Sequence, residues 1–308
     1  TLAAYRQNAQ ERNIALVGRI NPHVGDIAID YAKDVLPLTP TGSATERHII
    51  AAYVNKSLQL FSGDRLTGLW SDLLGVDGKT ANTLLADRPS MEDKVRSKLA
   101  KRGGPGYEQP TEKTFPLMED FCAWVKSCDA VPMESWLDGT SEGEKDAKAI
   151  LECSVAKGTQ CFSIVPDRNW NIKDAAVKAV KVSNLRKVVQ LCDAMDLPIN
   201  IGTEMNKGGL PFVDDLNGPV LSEFRQSFIR GAQILAGHAI CTRFGDFAYV
   251  SDAAVAEFKT RKARNAFFAA VGALPPVDLK TGSALRALGT DAARSAIFNS
   301  VKSGAWKI

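Results

Sequence analysis

Apolar and polar residues alternate along this chain with two periods, one typical of amphipathic helices and one of short buried strands. From residue 114 onwards, apolar positions three and four residues apart alternate with continuous apolar runs. The first spacing predicts helices and the second predicts strands. The predicted order is a helix capped by Thr114, a strand at 130–133, a helix at 143–156, a strand at 161–165, a helix capped by Ser183, a strand at 198–202 and a helix at 219–235. Strands about 30–40 residues apart predict parallel βα units.

The two ends of the chain differ from this middle part. Residues 2–13 have helical spacing and 14–19 are predicted as a strand, so residues 1–40 form the start of the α/β domain. Residues 41–103 carry few strand signals and form a helical insertion or lid, followed by an α/β core at 104–250. The predicted helices of the insertion at 41–103 lie at 45–61, 64–74, 79–86 and 90–101. Residues 251–308 are predicted as a C-terminal helical segment that packs on the core.

The predicted fold class is therefore α/β, built from parallel βα units with a helical insertion. A TIM-barrel-like arrangement, distorted or incomplete, is the expected architecture. Only four strands are predicted, so an open sheet is the alternative.

Composition narrows the function mainly by exclusion. Lys and Arg number 38 against 35 Asp and Glu, a net charge of +3, and the two signs are interleaved, so nucleic acid is not an expected partner. Neither an apolar run of roughly 18–20 residues nor a signal-peptide pattern is present. The six cysteines lack the spacing of zinc knuckles and are expected to be reduced thiols. We expect a cytoplasmic protein with no membrane partner.

Polar residues follow each of the last three predicted strands. An acid stands in each segment, namely Asp138, Asp167 and Glu204. In parallel α/β folds the functional site lies outside the carboxyl ends of the strands. We therefore expect these carboxylates to converge as a catalytic or metal-binding group.

Other residues of the same segments are candidates for holding an anionic substrate. Arg168 and Lys207 supply positive charge, and Arg168 can bind an anion with two donors. Thr140, Ser141 and Asn169 are the predicted polar contacts. The segment 138–143 also resembles a phosphate-holding loop that opens a helix, although it lacks the lysine of a Walker loop.

Three histidines occur in the chain, and they differ in their predicted roles. His23 follows the predicted strand at 14–19 and a proline, which makes it a catalytic candidate. His48 lies within a predicted helix and is expected to be structural. His238 lies near a predicted helix end, where a capping role is expected.

The order of elements in residues 112–210 resembles the PHP superfamily, the polymerase and histidinol phosphatase group of metal-dependent phosphoesterases. The matching stretches are Val131-Pro132-Met133-Glu134-Ser135-Trp136, Cys161-Phe162-Ser163-Ile164-Val165 and Gly202-Thr203-Glu204-Met205-Asn206. The chain departs from the family because it has no His-x-His pair, has Trp136 at the strand-end histidine and has Glu204-Met205-Asn206 in place of the final Asp-x-His. Two explanations remain open: the metal-binding strand lies upstream of Thr1, or carboxylates and amides have rebuilt the site.

The resemblance implies a metal-dependent hydrolase that acts on a small anionic, phosphorylated substrate. The implied ligands are Glu204, Asn206, Asp167 and Asp214, whose oxygen donors suit Mn²⁺ or Mg²⁺ better than Zn²⁺. Two alternatives stay open, a sugar isomerase or aldolase on the same barrel and a catalytically degenerate barrel that serves as a binding or structural subunit. For the last, the apolar segments 244–250 and 305–308 are candidate contact surfaces, including contacts in a homo-oligomer.

Overall fold

The computed structural model describes residues 2–112, 114–203, 205 and 212–308. The chain divides into two compact units, Thr1–Leu117 (unit 1) and Met118–Ile308 (unit 2). The sequence pattern instead placed divisions at residues 40, 103 and 250.

Unit 1 is helical throughout its described residues. Its α-helices are α1 (Leu2–Ile20), α2 (Glu46–Leu60), α3 (Gly63–Leu74), α4 (Gly78–Ala86) and α5 (Arg88–Leu99). Short 3₁₀ turns at Asn21–His23, Gly25–Ile27 and Leu36–Leu38 and a π turn at Tyr31–Val35 join α1 to α2. The four helices predicted between 41 and 103 are confirmed, with ends within about two residues.

The strand predicted at 14–19 is wrong. Those residues continue α1, whose buried positions are Asn13, Leu16, Val17 and Ile20. Spacings of three, one and three residues place all four side chains on one face of a helix. The apolar residues therefore belong to a helical stripe, and the α/β fold begins later in the chain.

Unit 2 contains a parallel sheet among helices. Its strands are β1 (Met133–Trp136), β2 (Cys161–Ile164) and β3 (Ile199–Ile201). Its helices are α6 (Met118–Ser127), α7 (Ala147–Ala156), α8 (Asp167–Trp170), α9 (Ala175–Ala194), α10 (Arg225–Gly245), α11 (Asp252–Glu257), α12 (Arg261–Gly272), α13 (Leu279–Leu288) and α14 (Thr290–Ser303), with a 3₁₀ turn at Ser222–Phe224 before α10. The C-terminal segment is helical, as predicted.

Two predicted caps are wrong. Thr114 forms a turn with Thr111 and α6 begins only at Met118. Ser183 lies inside α9, which Asp174 caps by accepting a hydrogen bond from the backbone N–H of Val177 at 2.9 Å.

The sheet order is β1-β2-β3, and both neighbouring pairs are parallel. This confirms the α/β class and the parallel βα units. With three strands in the described part of unit 2, a closed barrel is not shown.

One face of the sheet carries the apolar core and the other carries polar residues. Trp136, Phe162, Ile164 and Ile199 pack with α7 and α9. The opposite face has Ser135, Ser163 and Asn200 in neighbouring register positions. The Asn200 amide donates to the Ser163 hydroxyl at 3.2 Å.

Helix α10 joins the sheet to the C-terminal helices. At Gly231 an added Cβ would lie 1.9 Å from the carbonyl oxygen of Ile199 in β3. Further along, α10 crosses α12 at Gly237 and Gly272. Backbones can approach this closely only where side chains are absent.

The segment 244–250, a candidate contact surface, packs inside unit 2. Phe244, Phe247 and Tyr249 are buried in the cluster that α10, α12, α13 and α14 form. The Trp306 indole packs on the same cluster and donates to the carbonyl of Pro275 at 2.8 Å.

The six cysteines are free thiols, with Cys128 and Cys153 exposed and the other four buried. Among the described residues, no helix combines the length and the apolar character that a membrane crossing requires.

Candidate functional site

The segments that follow the carboxyl ends of β1 and β2 are described in full, and the segment that follows β3 is described only in part. β1 leads into residues 137–146, and β2 leads into α8. After β3 the described chain resumes at Phe212, after the isolated Met205. Glu204, Asn206 and Lys207, which were predicted as ligands and substrate contacts, lie outside the described residues.

The Glu144 carboxylate organises the loop after β1. It accepts hydrogen bonds from the backbone N–H groups of Leu137 at 2.7 Å, Asp138 at 3.3 Å and Gly139 at 3.1 Å. Gly139 adopts a positive φ of 71°, and Glu144 is only 7% exposed. Consecutive N–H groups that converge in this way form an anion-binding concavity. In this chain the anion is the protein's own carboxylate.

The first N–H groups of the predicted phosphate-holding loop at 138–143 are already paired. Those of residues 137–139 bond to Glu144, and that of Thr140 bonds to the Asp138 carboxylate at 3.0 Å. The exposed Ser141 contributes its carbonyl oxygen to the backbone N–H of Glu144. The N–H groups of residues 138–140 are therefore engaged within the protein, and a phosphate site at this loop stays a prediction.

Asp138 is a buried, paired carboxylate. It accepts from the Thr140 hydroxyl and lies 2.9 Å from the Lys181 ammonium of α9. Burial alone would raise its pKa, but the hydrogen bonds from Thr140 and Lys181 bring the pKa of Asp138 below its usual value. These contacts fasten the loop to α9. The catalytic role of Asp138 and the substrate contacts of Thr140 and Ser141 stay predictions.

Asn169 joins the ends of β1 and β2 and is fully buried. Its amide nitrogen donates to the carbonyl oxygens of Leu137 at 3.0 Å and Val165 at 3.2 Å. These bonds explain the polar residue here as a structural link. Its predicted substrate contact is not among the described interactions.

Two predicted carboxylates come together beyond β2 and β3. Asp167 begins α8, and Asp214 follows β3 in the chain. The Trp170 indole of α8 donates to Asp214 at 2.9 Å, and the Asn171 amide donates to Asp167 at 2.9 Å. Burial raises the pKa of Asp214, the bond from Trp170 opposes this, and the negative charge of Asp167 raises it further. The two carboxylates therefore interact unfavourably when both are charged.

A small cavity of about 100 Å³ is lined by Trp170, which binds Asp214, but not by Asp167 or Asp214. Trp170 forms one wall, and Lys178 of α9 stands 5.8 Å from the centre of its indole ring. Asp215 and the turn 218–221 form the other side. Arg168 lies on the same turn of helix as Asp167 and Trp170 and is half-buried.

The sequence analysis missed Trp170, Lys178 and Lys181. The signal for the lysines was present, because two basic residues three apart in the helix after a strand lie on one helical face. It also missed Glu134 of β1, where burial and the charge of Glu144 raise the pKa.

The three histidines lie in different local settings. His23 is exposed in the 3₁₀ turn Asn21–His23 of unit 1, so it does not follow a strand as predicted. His48 accepts a hydrogen bond from the backbone N–H of Thr45 at 3.0 Å and stabilises the start of α2, which agrees with a structural role. His238 lies inside α10 and accepts from the N–H of Tyr249 at 3.2 Å. Burial lowers the pKa of His238, although nearby Asp129 opposes this.

Within the residues that the structure covers, no three His, Cys, Asp or Glu side chains are grouped closely enough to hold a metal ion. Protein-family models, curated proteins and solved structures give no match to this chain.

Proposed function

We propose that unit 2 is a divalent-cation-dependent hydrolase acting on a small phosphorylated substrate, as the resemblance to the PHP superfamily implies. The observation that carries the proposal is the interaction of two like charges: Asp167 begins α8, and Asp214 accepts a hydrogen bond from Trp170 of the same helix. Among the described residues, neither carboxylate forms an ion pair with Lys or Arg. Two interacting carboxylates of like charge favour a bound cation.

The donor set suits Mg²⁺ or Mn²⁺. Mg²⁺ commonly binds through one or two carboxylates, retains water molecules and completes its shell with substrate phosphate oxygens. Asp167 and Asp214 would hold the ion, and Trp170, which donates to Asp214, also lines the cavity. When bound, the ion polarises the phosphoryl oxygen and lowers the pKa of bound water.

The chain's own residues supply orientation and charge. Trp170 fixes one oxygen of Asp214 and leaves the other available. Lys178 places an ammonium next to the cavity and would hold the anionic end of the substrate. The 100 Å³ volume accommodates only a group of a few atoms. We therefore expect the phosphoryl group to enter and the rest of the substrate to remain outside.

The first test is a titration of the full chain with Mg²⁺ or Mn²⁺, with and without inorganic phosphate, followed by thermal unfolding. We expect the ion to raise the melting temperature by mass action, and more strongly with phosphate present. Asp214→Asn should abolish the rise, since it removes a charged ligand but keeps an acceptor for Trp170. Phosphoester hydrolysis should fall at least about 10- to 100-fold.

Asp246→Asn is the matched control, because Asp246 is an exposed carboxylate of the same unit. Its melting temperature should respond to the ion as the unmodified chain does. No ion-dependent shift under either condition, or an equal shift in Asp214→Asn, would refute the metal site and favour a binding or structural subunit.

A second prediction concerns the metal-free chain. A raised pKa means that the ionised Asp214 opposes folding, so this cost is absent at low pH and develops as pH rises through the folded-state pKa. Asp214→Asn should therefore melt a few degrees higher than the unmodified chain at neutral pH and equally at pH 3. A melting temperature that is lower for the variant at neutral pH would contradict the unfavourable charge.

A further inference from the structure

Unit 1 contains a separate pocket of about 290 Å³, which does not belong to the strand-end site. It lies between α1, the start of α2, the end of α5 and the segment 106–115. Its volume approaches the lower limit for small-molecule sites. The pocket is independent of the proposed hydrolase activity.

The walls of this pocket are fixed by close backbone packing. A Cβ at Gly106 would lie 2.6–2.8 Å from side-chain atoms of Leu16 and Ile20, and one at Gly104 would lie 2.4 Å from the carbonyl oxygen of Lys98. The N–H of Gly106 bonds to the carbonyl of Leu99 at 2.8 Å. The segment that follows α5 is therefore held against α1, and the pocket is part of the fold.

Positive charge exceeds negative charge around this pocket. Arg19 is paired with Glu108 at 2.8 Å, so these two charges balance. Glu46 is shared between Arg96 and Lys101, of which only Lys101 lines the pocket, so the lining charges of Glu46 and Lys101 balance.

Arg12 gives the pocket lining one excess positive charge. Its guanidinium donates to the carbonyl of Thr114 at 3.3 Å and has no carboxylate partner among the described residues. The group stands 4.4 Å from the centre of the Phe115 ring, which holds it at the pocket. A half-buried guanidinium in this setting has donors available for a carboxylate or a phosphate.

The pocket also offers aromatic surface. Phe115 is 47% exposed, and the Tyr107 ring is half-buried on the same wall. An exposed ring next to a guanidinium favours a ligand that carries both a planar group and an anion. Inorganic anions alone would leave this apolar surface unused.

We propose that the pocket at Arg12 and Phe115 binds a small organic phosphate whose phosphoryl group contacts Arg12 and Lys101 and whose planar group packs on Phe115. The excess positive charge of the lining and the donors of Arg12 favour an anionic group such as a phosphate. Phenyl phosphate is the simplest molecule with both parts. It is therefore the probe for the test.

Calorimetric titration of the full chain in metal-free buffer tests the proposal with phenyl phosphate, inorganic phosphate and benzyl alcohol. We expect phenyl phosphate to bind most tightly and benzyl alcohol not to bind. Arg12→Gln should weaken phenyl phosphate about tenfold or more. The affinity of Arg12→Lys for phenyl phosphate should lie between those of Arg12→Gln and the unmodified chain, because lysine keeps the charge but lacks the planar donors. Phe115→Leu should weaken phenyl phosphate while leaving inorganic phosphate nearly unchanged.

Arg65→Gln is the matched control. Arg65 stands 4.6 Å from the Phe61 ring in the same unit and does not line the pocket, so its replacement removes the same charge and the same kind of ring contact. Asp214→Asn should also bind phenyl phosphate unchanged, which separates this pocket from the strand-end site. Equal binding by Arg12→Gln and the unmodified chain, or equal losses in Arg12→Gln and Arg65→Gln, would overturn the proposal, as would no binding at all.

Discussion

Replacing Gly237 by alanine should destabilise unit 2 by about 3 kcal/mol or more, the largest effect that we expect from a single methyl group. A Cβ at this position would lie 1.9 Å from the carbonyl oxygen of Phe268 in α12. The obstacle is backbone, so a change of rotamer cannot relieve the contact. α10 and α12 would have to separate along their whole crossing, where Phe268 and Ile234 are buried.

Gly272→Ala should have a similar effect, because its Cβ would lie 1.9 Å from the carbonyl oxygen of Gln233. Both substitutions push the same two helices apart. The double variant should therefore cost less than the sum of the single variants, since one separation relieves both contacts.

Gly282→Ala is the control for these glycines. It lies in α13 of the same unit, and its Cβ would meet Val277 and Phe244 at 3.5 and 3.7 Å, ordinary contact distances. Alanine also favours a helix over glycine by roughly 0.8–1 kcal/mol, so this variant should be neutral or stabilised. Urea unfolding gives the free energies, and hydrogen exchange should show the loss in α10 and α12 but not in unit 1. A Gly237→Ala variant as stable as Gly282→Ala would show that α10 and α12 do not pack closely at Gly237.

These glycines also show where the sequence stops predicting the fold. The helix predicted at 219–235 from Leu221, Phe224 and Phe228 overlaps α10 only at 225–235, so Gly237 lay beyond its predicted end. Its importance comes from a carbonyl 31 positions later in the chain, at Phe268. Local spacing predicts elements, whereas close approaches depend on how the elements pack.

The strand predicted at 198–202 contains β3, whereas the strand predicted at 130–133 shares only Met133 with β1. The strands predicted at 130–133 and 198–202 begin at Met133 and Ile199, each directly after a proline. Pro132 and Pro198 have no N–H to donate, although their carbonyls accept from Gln160 and Phe162 at 3.0 Å. Each proline therefore lies directly before the first residue of its strand.

The start of α9 was missed because its first half has no buried face. Val177 and Val180 are 45% and 55% exposed, so the apolar periodicity begins only at Leu185. The cap at Asp174 was the remaining local signal. A helix that extends into solvent beyond its packed part leaves little apolar pattern for sequence reasoning.

The site residues named from the sequence stay predictions. Topology placed Asp167 at a strand end, and Asp214 was a further candidate ligand; in the structure Trp170, on the same helix as Asp167, donates a hydrogen bond to Asp214. The sequence could not show that Asp138 is paired with Lys181 or that Glu144 fills the loop, because both contacts depend on side-chain directions. Of the acids at this edge of the sheet, Asp138 and Glu144 therefore have structural partners within the protein.

Replacing Glu144 by alanine should cost about 2–4 kcal/mol in the free energy of unfolding of unit 2. Three backbone N–H groups, those of Leu137, Asp138 and Gly139, would lose their shared acceptor in a mostly buried loop. Hydrogen bonds to a charged group contribute roughly 1.5–3 kcal/mol each, and donors left unpaired in a buried site add their desolvation cost. Water that enters the vacated space limits the total.

Glu144→Gln removes the negative charge of the side chain but keeps its size and shape. The two carboxylate oxygens are both used, one by Leu137 and the other by Asp138 and Gly139. An amide offers one oxygen and turns its NH₂ group toward a backbone N–H. We therefore expect the glutamine variant to be clearly destabilised, although less than alanine. Glu142→Gln is the control, since that side chain is 88% exposed and pairs only with Lys145.

A second measurement tests the role of Glu144, because the three N–H groups that bond to it have anion-binding geometry. With Glu144→Ala, the three N–H groups form an empty concavity that an added carboxylate can fill. Formate or acetate should raise the melting temperature of this variant but not that of Glu142→Gln or the unmodified chain. Hydrogen exchange at residues 137–140 should slow again on addition of the anion. A stable Glu144→Ala variant with unchanged exchange in this loop would show that the carboxylate does not organise the end of β1, and both structural assignments made from it would fail.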